Sequence, residues 1–131
     1  MRRKAKTARL VLAAMLALPL SAKAQSFASP VRFAEKDGAA LYANVCQACH
    51  MPDGRGASGA AAYPALARNE HLSQPGYPVL VVLQGQKAMP GFGAMLSDAQ
   101  IAAVVTYIRS HFGNAYADPV TTEDVAVARR R

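Results

Sequence analysis

Both cysteines of this 131-residue chain lie in one pentapeptide, Cys46-Gln47-Ala48-Cys49-His50. The pattern C-x-x-C-H is typical of sites where haem is covalently attached to protein. The two-residue spacing lets both sulfur atoms reach the vinyl groups on one edge of a porphyrin, and the histidine that follows is placed to bind the iron. The pentapeptide therefore predicts one haem held by Cys46 and Cys49, with His50 as the proximal ligand.

Three other uses of a C-x-x-C pair stay open at this point. Such a pair is also the redox motif of thioredoxin-like proteins, half of a zinc site, or a simple disulfide in an exported protein. A zinc site needs a second Cys pair or a spaced His pair, and the sequence contains neither. A thioredoxin-like site needs a strand–helix context, and the strand signal is weak, so haem attachment is the better-supported interpretation.

The first 24 residues have the charged, apolar and cleavage regions of a secretory signal peptide in order. Five basic residues precede an apolar run over residues 10–20, and Ala22-x-Ala24 supplies the small residues of a cleavage site. The run is too short for a transmembrane helix. We therefore expect residues 1–24 to be removed, the protein to be periplasmic, and no stable membrane span to be left; an uncleaved anchor is the alternative.

The formal charge of +7 belongs mainly to this leader. Six of the 15 Lys and Arg residues and none of the eight Asp and Glu residues lie within residues 1–24, which leaves nine basic and eight acidic side chains. No nucleic-acid partner is expected from so small a net charge. Lys36 and Lys87 are the only lysines beyond the leader, so we expect docking through a mainly apolar surface with weak salt dependence.

Helical signals dominate the remaining residues, whose number allows one small domain. Residues 25–36 are expected to form a polar N-terminal arm, residues 37–113 the domain itself, and residues 114–131 a tail with a short helix. Asp37 is expected to cap a helix over residues 38–45, and residues 69–72 are expected to form a turn. Residues 78–84 should form a short buried helix that ends at Gly85. The longest helix should begin at a capping box of Ser97 with Gln100 and end at Gly113 with Asn114, and Thr121 or Thr122 should cap a last helix.

With these residues in place, the chain beyond the leader resembles the class I cytochrome c family over nearly its whole length. The matching residues are Gly38, Tyr42, the Cys46–His50 motif, Pro64-x-Leu66, Met89-Pro90 and Tyr107. The resemblance implies an all-α cytochrome c fold, with about three to five helices wrapped around one covalently attached haem c. It also implies that the first helix crosses the C-terminal helix at a glycine beside an aromatic residue, so that Gly38 and Tyr42 face Val104 and Tyr107.

The resemblance further implies roles on both sides of the iron. The carbonyl of Pro64 would accept a hydrogen bond from His50, and Leu66 would pack against the porphyrin. Met89 is the expected distal ligand, because the family places this methionine in a loop, often before proline and ahead of a capped helix. The alternatives are Met95, either of two histidines (His71 or His111), or an iron with an open site.

The function implied is electron transfer without catalysis. The protein would shuttle single electrons between a periplasmic dehydrogenase, as donor, and an oxidase or other cytochrome of the respiratory chain, as acceptor. The segment over residues 112–131 resembles the tails of cytochrome subunits of periplasmic dehydrogenases, which often join several haem domains where this chain has one motif. A subunit held in a dehydrogenase complex, and an open-site haem with peroxidase-like or gas-binding activity, are the alternatives.

Overall fold

The computed structural model describes residues 33–59 and 62–131. The expected signal peptide and residues 25–32 of the expected arm lie outside the described residues. The helical elements are α1 (Gly38–Leu41), a π-helical turn (Tyr42–Cys46), α2 (Gln47–His50), a 3-10 turn (Glu70–Leu72), α3 (Gly76–Gln84), α4 (Asp98–Ser110) and α5 (Thr122–Arg129). Two short strands, β1 (Gly85–Gln86) and β2 (Met89–Pro90), pair antiparallel. The expected all-α fold is confirmed, with this hairpin as an addition that the sequence did not predict.

The first helical stretch is longer than expected and contains a wide turn. Asp37 caps it as predicted, because its carboxylate accepts a hydrogen bond of 3.0 Å from the amide of Ala40. The helix continues past residue 45 to His50, and the amide of Gln47 donates to the carbonyl of Tyr42 across the π turn. A π turn inserts one extra residue into a helix and is frequent at functional sites. The turn runs directly into the cysteine motif.

The first helix crosses α4 at Gly38, as expected. A Cβ atom at this position would lie 2.4 Å from the carbonyl oxygen of Ala103 and 2.9 Å from the Cβ of Tyr107. The rings of Tyr42 and Tyr107 pack with their centroids 5.7 Å apart. The residues of α4 nearest to the Gly38 Cβ position are Ala103 and Tyr107, and Val104 is buried in the core.

The longest helix begins as predicted and ends early. Ser97 and Gln100 form the capping box, but α4 stops at Ser110, three residues before the expected end. Phe112 has a φ of 59° and lies outside the helix. Its ring packs 4.7 Å from that of Tyr42, so tertiary packing favours the turn over one more helical turn.

The tail over residues 114–131 is part of the folded core. Thr121 and Asp124 form the capping box that begins α5, and Val125 is fully buried where this helix packs against α3 and α4. The guanidinium of Arg109 is also fully buried, and it donates to the carbonyl of Leu72 and to residue 118. The division at residue 113 stays a prediction.

The expected arm is described only at residues 33–36. Phe33 is half-buried against the core, and the side chain of Gln100 donates to the carbonyls of Phe33 and Glu35. Within residues 33–59 and 62–131, no helix has the length and apolar composition required to cross a bilayer.

Candidate haem-binding site

The two cysteines lie on consecutive turns of the first helical stretch. Cys46 ends the π turn and is half-buried, whereas Cys49 lies in α2 and is exposed; both are free thiols. Burial, together with the neighbouring Cys49, raises the pKa of the Cys46 thiol to about 11. A helix precedes the pair in place of the strand that a thioredoxin-like site requires, so the local structure disfavours that alternative.

The zinc alternative also lacks support in the part of the chain that the structure describes. There, no group of three or more His, Cys, Asp or Glu side chains is close enough together to hold a metal ion. A structural zinc site normally needs four such ligands.

His50 ends α2 and is 7% exposed. Its Nδ1 lies 2.9 Å from the carbonyl oxygen of Pro64, which can only accept a hydrogen bond. Nδ1 therefore carries the proton, and the lone pair of Nε2 is left for a metal. The hydrogen bond implied by the family resemblance is present in the structure.

The loop after the motif fixes the position of the Pro64 carbonyl. The amide of Gly56 donates to the carbonyl of His50 (3.0 Å), and residues Ala57 and Tyr63 pair as an antiparallel bridge. Gly56 has a φ of +67°, and a Cβ there would lie 2.2 Å from the carbonyl oxygen of Tyr63 and 2.9 Å from that of Pro64. Glycine is required at this position because of both the left-handed conformation and the close approach.

Asn114 joins this loop to the end of α4, a role that the sequence did not reveal. Its side-chain amide donates to the carbonyls of Leu66 and Ile108, both at 2.8 Å, and its Oδ1 accepts from the amide of Asn69 at 2.9 Å. The side chain is 8% exposed. The only signal in the sequence was a turn-forming Asn after Gly113, which indicated the helix end and nothing about these distant partners.

Met89 lies in β2, in the hairpin between α3 and α4, and is half-buried. The half-buried side chains that pack against the hydrophobic core include Cys46, Leu66, Met89 and Phe92. Apolar side chains left partly uncovered in this way suit contact with a further apolar group.

The residues of the motif fit a covalently bound haem. Two free thiols on adjacent turns, a histidine with Nε2 available, and half-buried apolar side chains against the core are the groups that such a cofactor needs. The motif predicted the two cysteines and the histidine, the family resemblance added Pro64, Leu66 and Met89 as expectations, and Asn114 was missed.

Comparisons with known proteins agree with this fit. Residues 33–108 match the protein family described as cytochrome C oxidase, cbb3-type, subunit III. The fructose dehydrogenase cytochrome subunit of Gluconobacter japonicus is 40% identical over 96 residues, which cover 62% of this chain and 20% of that protein. The gluconate 2-dehydrogenase cytochrome c subunit of Pantoea cypripedii is 36% identical over 108 residues, which cover 71% of this chain and 24% of that protein.

A shorter relative matches over most of its own length. A cytochrome c-552 of Thermus thermophilus is 36% identical over 118 residues, which cover 75% of this chain and 78% of that protein. The chain thus spans a quarter or less of the two dehydrogenase subunits but more than three quarters of cytochrome c-552. The chain belongs to the cytochrome c family, in which haem c is bound covalently, and Cys46, Cys49 and His50 have the spacing that this attachment uses.

Proposed function

We propose that this cytochrome c domain is a periplasmic one-electron carrier whose haem iron is bound by His50 and Met89. The observation that carries the proposal is the 2.9 Å hydrogen bond between His50 Nδ1 and the Pro64 carbonyl, directly after the two cysteines. When bound, the haem supplies an iron that alternates between the ferric and ferrous states, one electron at a time.

On the proximal side, the protein holds the histidine ring in one orientation. The carbonyl of Pro64 accepts the Nδ1 proton, which keeps Nε2 directed away from the loop and raises the basicity of the imidazole. Cys46 and Cys49 would hold the haem covalently.

On the distal side, we assign the sixth position to Met89, which is half-buried against the core in the hairpin before α4. A methionine opposite histidine favours ferrous iron and raises the reduction potential, which suits an electron carrier. Two of the rivals have contacts elsewhere in the fold. Met95 lines a groove with Phe33 and Gln100 at the start of α4, and the ring of His111 stacks 4.0 Å from that of Tyr107.

The acidic side chains support a carrier over a catalyst. Asp37 and Asp124 cap helices, and hydrogen bonds from Thr121 lower the pKa of Asp124. Asp98 pairs with Arg129 at 2.7 Å. Each of these carboxylates has a structural partner, so none of the three is free to act as a general acid or base.

The partner is inferred from the relatives. Two of them are named as cytochrome subunits of fructose dehydrogenase and gluconate 2-dehydrogenase. We infer that a periplasmic dehydrogenase donates electrons to this haem and that a respiratory-chain oxidase or cytochrome receives them. The protein acts as a shuttle or as a subunit of such a complex.

Met89→Ala tests the ligand assignment, with Met95→Ala as the matched control. The oxidised parent protein should show the weak long-wavelength absorption band that reports sulfur-to-iron ligation. We expect Met89→Ala to abolish this band and to lower the reduction potential by roughly 0.1 V or more, since axial ligands set haem potentials. Met95→Ala should retain the absorption band and the reduction potential of the parent. Loss of the band in Met95→Ala would move the assignment to that residue, and its absence from the parent would favour the open-site alternative.

A further inference from the structure

We name the segment over residues 89–96 the distal loop. The middle of this loop is hydrogen-bonded to α3. The amide of Phe92 donates to the carbonyl of Val82 at 2.8 Å, and the amide of Gly93 donates to the carbonyl of Leu83 at 3.1 Å. At Gly91, a Cβ would lie 2.7 Å from the carbonyl carbon of Gln84. The loop therefore lies directly against the end of α3.

A single arginine of α5 holds the second part of the distal loop. The guanidinium of Arg129 donates to the carbonyls of Gly93 and Leu96, the latter at 3.1 Å, and its Nε donates to Asp98 Oδ1 at 2.7 Å. The Arg129 and Asp98 side chains are 35% and 26% exposed. The planar fork of an arginine can bind several oxygens at once in fixed geometry, which a lysine cannot.

The helix that carries Arg129 is itself firmly placed. Thr121 and Asp124 cap its first turn, and fully buried Val125 docks it on α3 and α4. Arg129 therefore links the distal loop to a helix that is docked on the core, although the two are more than 30 residues apart in sequence.

We propose that Arg129 is a positioning residue for the distal ligand, and that its fork keeps the distal loop in the arrangement in which Met89 stays on the iron. This inference rests on the proposed function, because it takes Met89 as the sixth ligand. Without the fork, the loop keeps its bonds to α3 and its pairing with β1 but loses the bonds at Gly93 and Leu96, and the methionine leaves the iron more often. An external ligand then competes more effectively for the vacated position.

The test measures how fast imidazole binds to the oxidised holoprotein. We expect Arg129→Gln to accelerate binding about fivefold, since charge-assisted hydrogen bonds to the loop are lost at a partly exposed site. The long-wavelength band should weaken in the same variant. Asp98→Asn is the second variant: it keeps the arginine but loses the charge that orients it, so a smaller acceleration is expected.

Two controls separate positioning from general loss of stability. Arg130→Gln removes the next arginine, whose contact is an exposed pair with Glu123 at 3.3 Å. Ile108→Val removes one methyl group from the core at the opposite end of α4. Both should bind imidazole at the parent rate.

The outcomes distinguish this inference from the proposed function. A parent protein that shows the band, together with an unchanged imidazole rate in Arg129→Gln and Asp98→Asn, overturns the role of Arg129 alone. Equal acceleration in Ile108→Val overturns it as well, because general loosening would then explain the effect. A parent without the band overturns the assignment of Met89 and this inference with it.

Discussion

The proximal loop (residues 51–59 and 62–69) and the distal loop (residues 89–96) are held by different kinds of contact. The proximal loop is bonded to His50 through the Gly56 amide, and it is tied to the end of α4 by three hydrogen bonds of the buried Asn114. The distal loop rests on backbone bonds to α3 and on the partly exposed side chain of Arg129. Changes on the proximal side should therefore reduce the stability of the whole fold, whereas changes on the distal side should mainly affect the ligand.

This difference corresponds to two tasks within one small domain, which are to hold His50 in place and to carry the proposed distal ligand. The histidine must stay where the cysteines place it, so its loop is built into the core. The proposed distal ligand, Met89, is carried by a hairpin that packs on the core from outside, and the loop that follows it is bonded to α5 through Arg129. Three substitutions on the proximal side, compared with Arg129→Gln on the distal side, measure how far the two tasks are independent.

Gly56→Ala should give the largest loss of stability. An alanine would have to adopt a φ of +67° and would place its Cβ 2.2 Å from the carbonyl oxygen of Tyr63. We expect the free energy of unfolding of the holoprotein to fall by about 3 kcal/mol or more, because backbone strain and displacement of the Pro64 carbonyl add together. Guanidinium chloride unfolding measures the loss.

The matched control for this glycine is Gly76→Ala. Apart from its chain neighbours and the backbone of its own helix, no heavy atom lies within 4 Å of the Cβ position at Gly76, so the change should be nearly neutral. If Gly56→Ala is equally well tolerated, the proximal loop is not rigid and the comparison loses its basis.

Asn114→Ala should give an intermediate loss. The substitution leaves the carbonyls of Leu66 and Ile108 and the amide of Asn69 without their partner, which should cost about 2 kcal/mol. Imidazole should bind to the oxidised variant at the parent rate, because the distal loop is untouched. Asn44→Ala, which removes an exposed contact with Glu35, is the control.

Two quantities are measured for Asn114→Ala, the loss of stability and the rate of imidazole binding, and the binding rate is the more informative. Acceleration in Asn114→Ala as large as in Arg129→Gln would show that the two sides of the iron are coupled. The distinction between a stability effect and a ligand effect would then be wrong.

Tyr42→Phe should have the smallest effect at neutral pH and a distinct effect in alkali. Tyr42 is 2% exposed and donates to the carbonyl of Met51 at 2.6 Å, directly after the proximal histidine. Loss of this hydrogen bond should lower the free energy of unfolding by about 1 kcal/mol at pH 7. Burial first, then the charges of Cys46 and Tyr107, raise the pKa of Tyr42 from 10.0 to about 12.

The sign of the alkaline effect follows from this shift. Below pH 10 the hydroxyl is protonated in both states, whereas between pH 10 and about 12 only the unfolded chain loses the proton. The stability of the parent should therefore fall in this window by up to about 1.4 kcal/mol per pH unit, and Tyr42→Phe should reduce the slope. Unfolding at pH 7 and pH 11 tests this, with Tyr77→Phe as the control. An identical slope in parent and Tyr42→Phe would contradict the assignment.

Local signals predicted much of the fold. The caps at Asp37, Ser97 and Thr121 form within three residues of their partners, so sequence spacing alone indicates them. The end of α4 could not be predicted in this way. Gly113 and Asn114 suggested a later stop, but the packing of Phe112 against Tyr42 ends the helix at Ser110.

The same division applies to the candidate site. A motif of five consecutive residues was enough to predict haem attachment, because the chemistry requires two thiols and an imidazole at fixed short spacing. The resemblance to a family added the contact between Pro64 and His50, which the structure contains. The identity of the distal ligand stays a prediction.

The sequence by itself determined the cofactor, the starts of the three capped helices and the all-α class, since each depends on residues that are neighbours along the chain. Only the tertiary structure decided what holds the proximal and distal loops. Asn114 reaches partners 45 and 48 residues away, and Arg129 reaches partners 31 to 36 residues away. Contacts of this kind depend on the path of the whole chain, because a hydrogen bond forms only where folding has brought donor and acceptor within about 3 Å.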